Sequence, residues 1–342
     1  MVTNGLVKAL FVYQDERLPS SRVRVLNLIP ELRSMGVDVT ALCFPTSVAE
    51  RFKVMRMLRN FDVVFIQKKL LNLIDAIVVH YLSRCLVYDF DDAIYYRDDS
   101  AISPYSDSRY RKFKRMMRIS DVVIAGNKVL AEEASKYSKV VKVLPSSVPV
   151  ENIIVKENYD HAGPIVIGWL GGGGNLHHLS SIGSAIQALA RTNDIVVHVV
   201  SNKEFKLEGV KVVNIAWSLD DQEEQIARFD IGVMPLPDNW WTQGKCGYKA
   251  LQYMASGVAT ICSAVGSNAD MIDDGVDGFS AASLEDFHKA MQTLIDDSRM
   301  RQDMGLKARE KIKQKYSIQA VGSHLASILK DRVMSANKVK VT

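Results

Sequence analysis

The sequence predicts an α/β protein of two doubly wound parallel sheets, and three observations carry the prediction. Short apolar runs ended by Gly, Pro or polar turns alternate with segments of helical periodicity along all 342 residues. The alternation breaks once, at Pro145-Ser-Ser-Val-Pro149 and the polar, poorly periodic stretch Glu151–Gly163. It restarts at Ile165, with no low-complexity segment and no short-period repeat. Residues 1–150 therefore read as one domain and 163–315 as a second.

In the first half, Leu6–Tyr13 reads as a buried strand and Gln14–Ser21 as the loop after it. Arg22–Met35 is a helix with apolar positions Val23, Val25, Leu26, Ile29 and Leu32, interrupted by Pro30 and ended by Gly36. Val37–Phe44, Phe61–Gln67, Cys85–Phe90, Asp121–Ala125 and Val140–Leu144 are further strands, with helical segments between them. In the second half, strand Ile165–Leu170, helix His178–Ala190, strands Ile195–Val200 and Val210–Asn214, and helix Asp220–Phe229 follow in order. Asp230–Phe279 is the densest stretch. It opens with strand Ile231–Met234, stopped by Pro235 and Pro237, and a polar loop Asp238–Gly244 holding Trp240 and Trp241. A helix Lys245–Ser256 comes next, with Gly257 just past its end, then strand Val258–Cys262 and a turn at Gly266-Ser267-Asn268. Leu284–Ile295, Arg299–Lys313 and Ser317–Leu329 are helices, and the tail Met334–Thr342 is expected to fray.

Composition, 47% hydrophobic and 24% charged, is that of soluble globular domains. No apolar run approaches the roughly 18–20 residues that span a bilayer. The start MVTNGLVKALFVYQDE lacks a basic leader and carries an acidic pair after its short apolar run, so it reads as a first strand rather than a signal peptide. Cys43, Cys85, Cys246 and Cys262 have no zinc-like spacing and read as buried thiols of a reducing, cytoplasmic compartment. The net charge of +4 is unevenly spread: residues 1–160 hold 24 Lys and Arg against 19 Asp and Glu, and the rest is nearly balanced. Basic residues cluster in Arg51–Arg59 and Arg109–Arg118, the second with Phe113, Met116 and Met117 toward the core. Such clusters are either solvated helix faces or a surface for an anionic membrane, at which the protein would be peripheral. No nucleic-acid motif accompanies them.

Open α/β sheets bind ligands at the carboxyl ends of their strands, and polar residues gather there at several places. Gly171, Gly172, Gly173 and Gly174 follow one strand and precede a helix, so their N–H groups form either a plain turn or a diphosphate cradle. Lys245 and Lys249 share one face of the predicted helix, with Lys245 in its first turn. A Lys there opposes the helix dipole. The pair is expected either on a solvated face or on the phosphates of a bound ligand. Gly266, Ser267 and Asn268 offer turn N–H groups. Asp89, Asp91 and Asp92 close the fourth strand. They orient a hydroxyl, cap the next segment, or form a metal-binding Asp89-x-Asp91 pair. Arg22 and Arg24 cannot both face the core, so one is expected on an anion or in solvent. Neither half opens on the GxGxxG fingerprint, and no Ser-His-Asp order, P-loop lysine or metal-ligand set occurs.

The run DIGVMPL…KALQYMASGVATICSAVGSNADMIDDGVDGF, Asp230–Phe279, resembles the donor-site signature of GT-B-fold glycosyltransferases of the large retaining family 4. The likeness extends more weakly over nearly the whole chain. It implies two Rossmann-like domains facing across a cleft, with the last helix, about residues 316–333, crossing back to the first. It implies a retaining transfer, without metal or cofactor, from a nucleotide-sugar donor on 163–315 to a glycan or lipid-linked acceptor on 1–150, in surface polysaccharide synthesis. Gln252 stands where the family's second Glu holds the ribose. Gly244 stands where its first acidic residue lies near the sugar, leaving Asp238 or Gln243 as substitutes. Asp91 takes the place of a family His near the reacting carbon, and Asp92 that of the following Asp. The Gly171–Gly174 loop lacks the cations the family places nearby. The expected catalytic residues are Asp91, Asp92 and Lys249. The expected donor contacts are Gly171–Gly174, Lys245, Lys249, Gln252, Gly266, Ser267 and Asn268. Two other readings stay open: a GT-B nucleotide-sugar epimerase, and a non-catalytic nucleotide-sugar-binding scaffold, which Gly244 and Gln252 favour.

Overall fold

The computed structural model describes residues 6–98 and 101–339. The expectations for Met1–Gly5 and for the last three residues of the tail lie outside the described residues. The chain divides into two compact units, one of Met1–Ser147, Gln243–Cys246 and Ser317–Thr342, the other of Val148–Thr242 and Gly247–Tyr316.

Unit 1 runs β1 (Val7–Tyr13), α1 (Pro19–Arg24), α2 (Ile29–Ser34), β2 (Val37–Cys43), α3 (Val48–Met57), β3 (Val63–Gln67), α4 (Leu73–Leu82), β4 (Leu86–Phe90), α5 (Asp107–Ile119), β5 (Val122–Ala125), α6 (Lys128–Ser135) and β6 (Val141–Val143). Its six strands pair in parallel in the order β2-β1-β3-β4-β5-β6. β3 and β4 are buried at every position, as strands covered on both faces must be. Phe11 and Phe65 stack at 4.3 Å between ring centroids on one face, among Leu28, Leu32, Leu325 and Leu329. The single helix expected over Arg22–Met35 is instead α1, a 3-10 turn at Leu26–Leu28, and α2. Pro30 has no N–H to donate to a preceding turn, so the chain restarts a helix with Pro in its first positions.

Unit 2 repeats the pattern: β7 (Ile165–Leu170), α7 (Leu176–Ser180), α8 (Gly183–Ala190), β8 (Ile195–Ser201), β9 (Val212–Ala216), α9 (Gln222–Ala227), β10 (Ile231–Met234), α10 (Tyr248–Ala255), β11 (Ala259–Ser263), α11 (Ser267–Met271), β12 (Phe279–Ala281), α12 (Leu284–Asp296) and α13 (Ser298–Lys315). The strands are again parallel, in the order β12-β11-β10-β7-β8-β9. Two glycines let large rings approach this sheet closely: a Cβ at Gly168 would overlap the Phe229 ring, and one at Gly232 would lie 2.7 Å from Tyr253 on α10. The predicted α/β alternation is thus realised in both halves.

The last helix, α14 (Ile318–Val339), returns to unit 1, where Val321, Leu325, Ala326, Ile328 and Leu329 enter its core. It runs through Met334–Val339, where fraying was expected. Once these apolar residues anchor the helix, each further turn adds hydrogen bonds without a new nucleation cost. No disulfide joins the cysteines. Cys85 and Cys262 are buried, but Cys43, expected inside, is exposed at the end of the edge strand β2.

Candidate functional site

In unit 2 the strand order reverses between β7 and β10, and a doubly wound sheet opens its ligand crevice at such a switch point. Gly171 starts the loop that leaves β7, and Pro235 the loop that leaves β10. None of Gly171–Gly174 has a positive φ, so what these residues provide is a missing Cβ. A Cβ at Gly171 would lie 2.6 Å from Lys249 Nζ and 2.7 Å from the Trp169 ring, whereas one at Gly172 or Gly174 would meet nothing. The Gly173 N–H donates to Asn202 Oδ1 at 2.7 Å, which fixes the middle of the loop. Lys249 Nζ sits 4.3 Å from the Trp169 ring centroid, a cation–π contact that lays the ammonium beside the glycines. The Leu170 N–H donates to Tyr253 Oη at 2.8 Å, tying the end of β7 to α10.

Helix α10 begins at Tyr248, not Lys245. Gly247 takes the left-handed conformation, with φ 66°, and a 3-10 turn occupies Thr242–Gly244. Lys245 is therefore off the helix, shares no face with Lys249, and belongs to unit 1. Gly247 offers no side chain to cap the first N–H groups of α10. Asn268 is buried beside it: a Cβ at Gly247 would lie 2.7 Å from Asn268 Oδ1. Neither amide atom of Asn268 has a hydrogen-bond partner. Such a deficit costs about 1–3 kcal/mol, which a bound polar group would recover. Gly266, with φ 57°, leads into α11 rather than the expected open turn, so Ser267 and Asn268 are helical. Gln252 is buried on α10. Asp277 is also buried, paired with Lys311 at 2.6 Å.

In unit 1 the reversal falls between β1 and β3. Gln67, at the end of β3, is fully buried and its Nε2 has no partner. Next to it stands Lys68, which the sequence reading did not single out. Its Nζ lies 3.0 Å from Asp91 Oδ1 and also pairs with Asp92 Oδ2. Lys245 Nζ takes the other oxygen of Asp92 at 3.2 Å. The first carboxylate of the cluster is spent elsewhere: Asp89 accepts from Arg24 Nε at 3.2 Å and from its Nη2, both residues being buried. Burial opposes the charged guanidinium, but Asp89 outweighs it and raises the Arg24 pKa. The Asp89-x-Asp91 metal reading thus meets a carboxylate already occupied by Arg24. Among the described residues, no group of three or more His, Cys, Asp or Glu is arranged to hold a metal ion. Arg24, not Arg22, is the core-facing member of its pair, while Arg22 Nη1 donates to the Arg17 carbonyl at 2.9 Å. Gly244 has no room for the acidic side chain of the family pattern: a Cβ there would lie 2.7 Å from the Ala93 backbone nitrogen. Of its suggested substitutes, Asp238 is exposed, and the Gln243 carbonyl accepts from Asn127 Nδ2 at 3.1 Å.

Residues 165–297 match the profile of the family described as Glycosyl transferases group 1. No curated protein sequence matches the chain. Among solved structures, HepE of Anabaena in complex with UDP-glucose superposes with a TM-score of 0.68 at 15% identity, over 95% of this chain and 99% of that one. Sucrose-phosphate synthase of Thermosynechococcus elongatus gives 0.69 at 12% identity, over 96% and 100%. The lipopolysaccharide outer core galactosyltransferase WaaB gives 0.66 at 13% identity, over 95% and 100%. The fold is that of GT-B glycosyltransferases, and the glycine loop, Lys249, Gln252 and Asn268 all lie within the residues that match the glycosyl transferases group 1 profile.

Proposed function

We propose that the protein is a glycosyltransferase whose unit 2 binds a nucleoside-diphosphate sugar and whose unit 1 binds a glycan or lipid-linked acceptor. The observation that carries the reading is the group at the β7/β10 switch point. There Lys249 lies beside the glycine loop, the start of α10 has no side-chain cap, and the Asn268 amide lacks partners. Backbone N–H groups at a helix start and an adjacent ammonium suit a diphosphate. The same ammonium would stabilise the negative charge that grows on the leaving nucleoside diphosphate. In this reading no divalent ion is required, and Gln252 contacts the ribose hydroxyls, to which an amide can donate or accept. HepE, solved with UDP-glucose, makes a uridine nucleotide the first donor to test. Asp91 and Asp92 are assigned to acceptor orientation and oxocarbenium stabilisation, in a transfer that retains configuration, and the Gln67 amide to an acceptor group. The context is cytoplasmic synthesis of a surface glycan, a reading supported by the fold shared with a lipopolysaccharide outer core galactosyltransferase. An anionic membrane surface is assigned to the exposed face of α3 and α4.

The test is a thermal-shift screen against UDP, GDP, dTDP and ADP, followed by nucleotide-sugar hydrolysis. A nucleotide at a hundred times its Kd stabilises the native state by about 2.7 kcal/mol, a readily measured rise in Tm. No shift with any nucleotide would overturn the reading. One observation favours a second reading, a non-catalytic nucleotide-sugar-binding protein: the backbone at Ala93 leaves no space for a carboxylate at Gly244. Nucleotide binding without any turnover of a donor panel would select it.

A further inference from the structure

We propose that Lys68 is the positioning residue of the acidic pair in unit 1, fixing Asp91 and Asp92 side by side as two carboxylates on one ammonium. Lys68 is the only non-glycine among the described residues with a positive φ, 59°, a conformation that a residue with a Cβ adopts only when its surroundings impose it. Its backbone N–H donates to the Asp89 carbonyl at 2.7 Å, which extends the β3–β4 ladder by one rung. From that point the side chain, only 15% exposed, reaches both carboxylates at the end of β4. The charged groups facing the pair are Lys68 and Lys245, with the Arg24–Asp89 ion pair behind them. The Cys246 thiol donates to the Asp91 carbonyl at 3.2 Å, and burial, with Asp91 next, pushes it well up, so it is neutral. Burial would also raise the Asp92 carboxyl, but the ammonium groups of Lys68 and then Lys245 outweigh it and hold it below its ordinary value. A carboxyl lowered on folding stabilises the fold above its unfolded pKa and loses that contribution as the pH falls through the folded one. Removing Lys68 therefore moves protonation of Asp92 to higher pH.

The inference rests on the glycosyl-transfer reading for what the pair does, but not for how the pair is held. In Lys68→Met, kcat at neutral pH should fall about tenfold to a hundredfold, with the donor KM little changed. The acid limb of the kcat–pH profile should rise by about one unit, and Lys68→Arg should bring it back. If Lys68→Met does not fold, Lys68→Gly, which takes φ 59° without strain, removes the same ammonium and serves the same comparison. Turnover by the wild type with an acid limb unmoved in these variants sinks the inference and leaves the function standing. A wild type that turns over no nucleotide sugar ends the functional reading instead. Carbon-13 NMR titration of the aspartate carboxyls then decides: an upward shift of the Asp92 midpoint in the variant supports the role of Lys68, and an unmoved midpoint refutes it.

Discussion

Lys249 meets the Trp169 ring on one side and the bare Cα of Gly171 on the other. A charge-assisted hydrogen bond to a phosphate is worth about 1.5–3 kcal/mol. Lys249→Ala should therefore weaken UDP binding by about tenfold to a hundredfold, read by titration calorimetry, with the apo Tm little altered. An unchanged Kd would remove Lys249 from the donor group. The positions of the glycine loop and Asn268 were legible from the strand ends they follow, that of Lys249 from its predicted helix, and that of Gln252 from the family pattern. Lys68 was not. A Lys after an apolar strand reads as the start of a solvated loop, and residue type does not reveal the sign of φ. The Arg24–Asp89 pair joins residues 65 apart in the chain, which no local pattern encodes. The absence of an acidic residue at Gly244 was visible, but its physical reason, the Ala93 backbone, was not.

At the scale of elements, the apolar runs and their Gly and Pro boundaries placed most strands within a residue or two. The misplacements share a cause: a conformation imposed by neighbours. The apparent helix start at Lys245 was wrong because Gly247, left-handed, separates the preceding turn from α10. The strand β12 was missed because Phe279-Ser-Ala is too short to show periodicity, and its identity comes from pairing, Ile261 with Phe279. The packing of α13 on the end of α10 gives a sharp prediction. A Cβ at Gly305 would lie 1.9 Å from the Gly257 carbonyl oxygen. Both partners are backbone, and Gly257, at φ 77°, is itself committed to closing α10. Gly305→Ala should destabilise unit 2 by roughly 2–4 kcal/mol, near or above the upper range of overpacking, measured by urea unfolding. Gly172→Ala, whose Cβ meets nothing, should leave apo stability within about 0.5 kcal/mol of wild type. Equal stability of the two variants would show that α13 can move away from α10 at little cost.

For the molecule as a whole, charge and apolar exposure converge on one face of unit 1. No residue of α3 is buried. Phe52 on α3 is 63% exposed, and Ile74 and Tyr81 on α4 are 73% and 77% exposed. The two helices are joined by Arg51 and Asp75 at 3.3 Å. Exposed Lys53, Arg56 and Arg59 accompany these apolar residues, the Arg56 guanidinium lying 5.9 Å from the Phe52 ring centroid. Among the described residues, no helix is long and apolar enough to cross a membrane. The cavity behind this face, lined by Phe44, Val54, Met55 and Leu71, is about 30 Å³, room for about one water and not for a lipid chain. In the proposed contact with a bilayer surface, the aromatic and aliphatic side chains would lie at the headgroup boundary and the cations on anionic lipid. A second copy of the chain is a poorer occupant, because self-pairing would set these cations against each other. Each Lys or Arg near an anionic leaflet contributes about 1 kcal/mol. The variant with Arg56→Glu and Arg59→Glu should consequently lose at least about tenfold in partitioning onto phosphatidylglycerol-containing vesicles. The wild type should bind phosphatidylcholine vesicles weakly, and its binding to the anionic ones should fall as salt shortens the screening length. Phe52→Ser with Ile74→Ser should weaken binding while leaving its salt dependence in place. Partitioning that is indifferent to lipid charge, or a concentration-dependent dimer that both pairs of substitutions abolish, would assign this face to another partner.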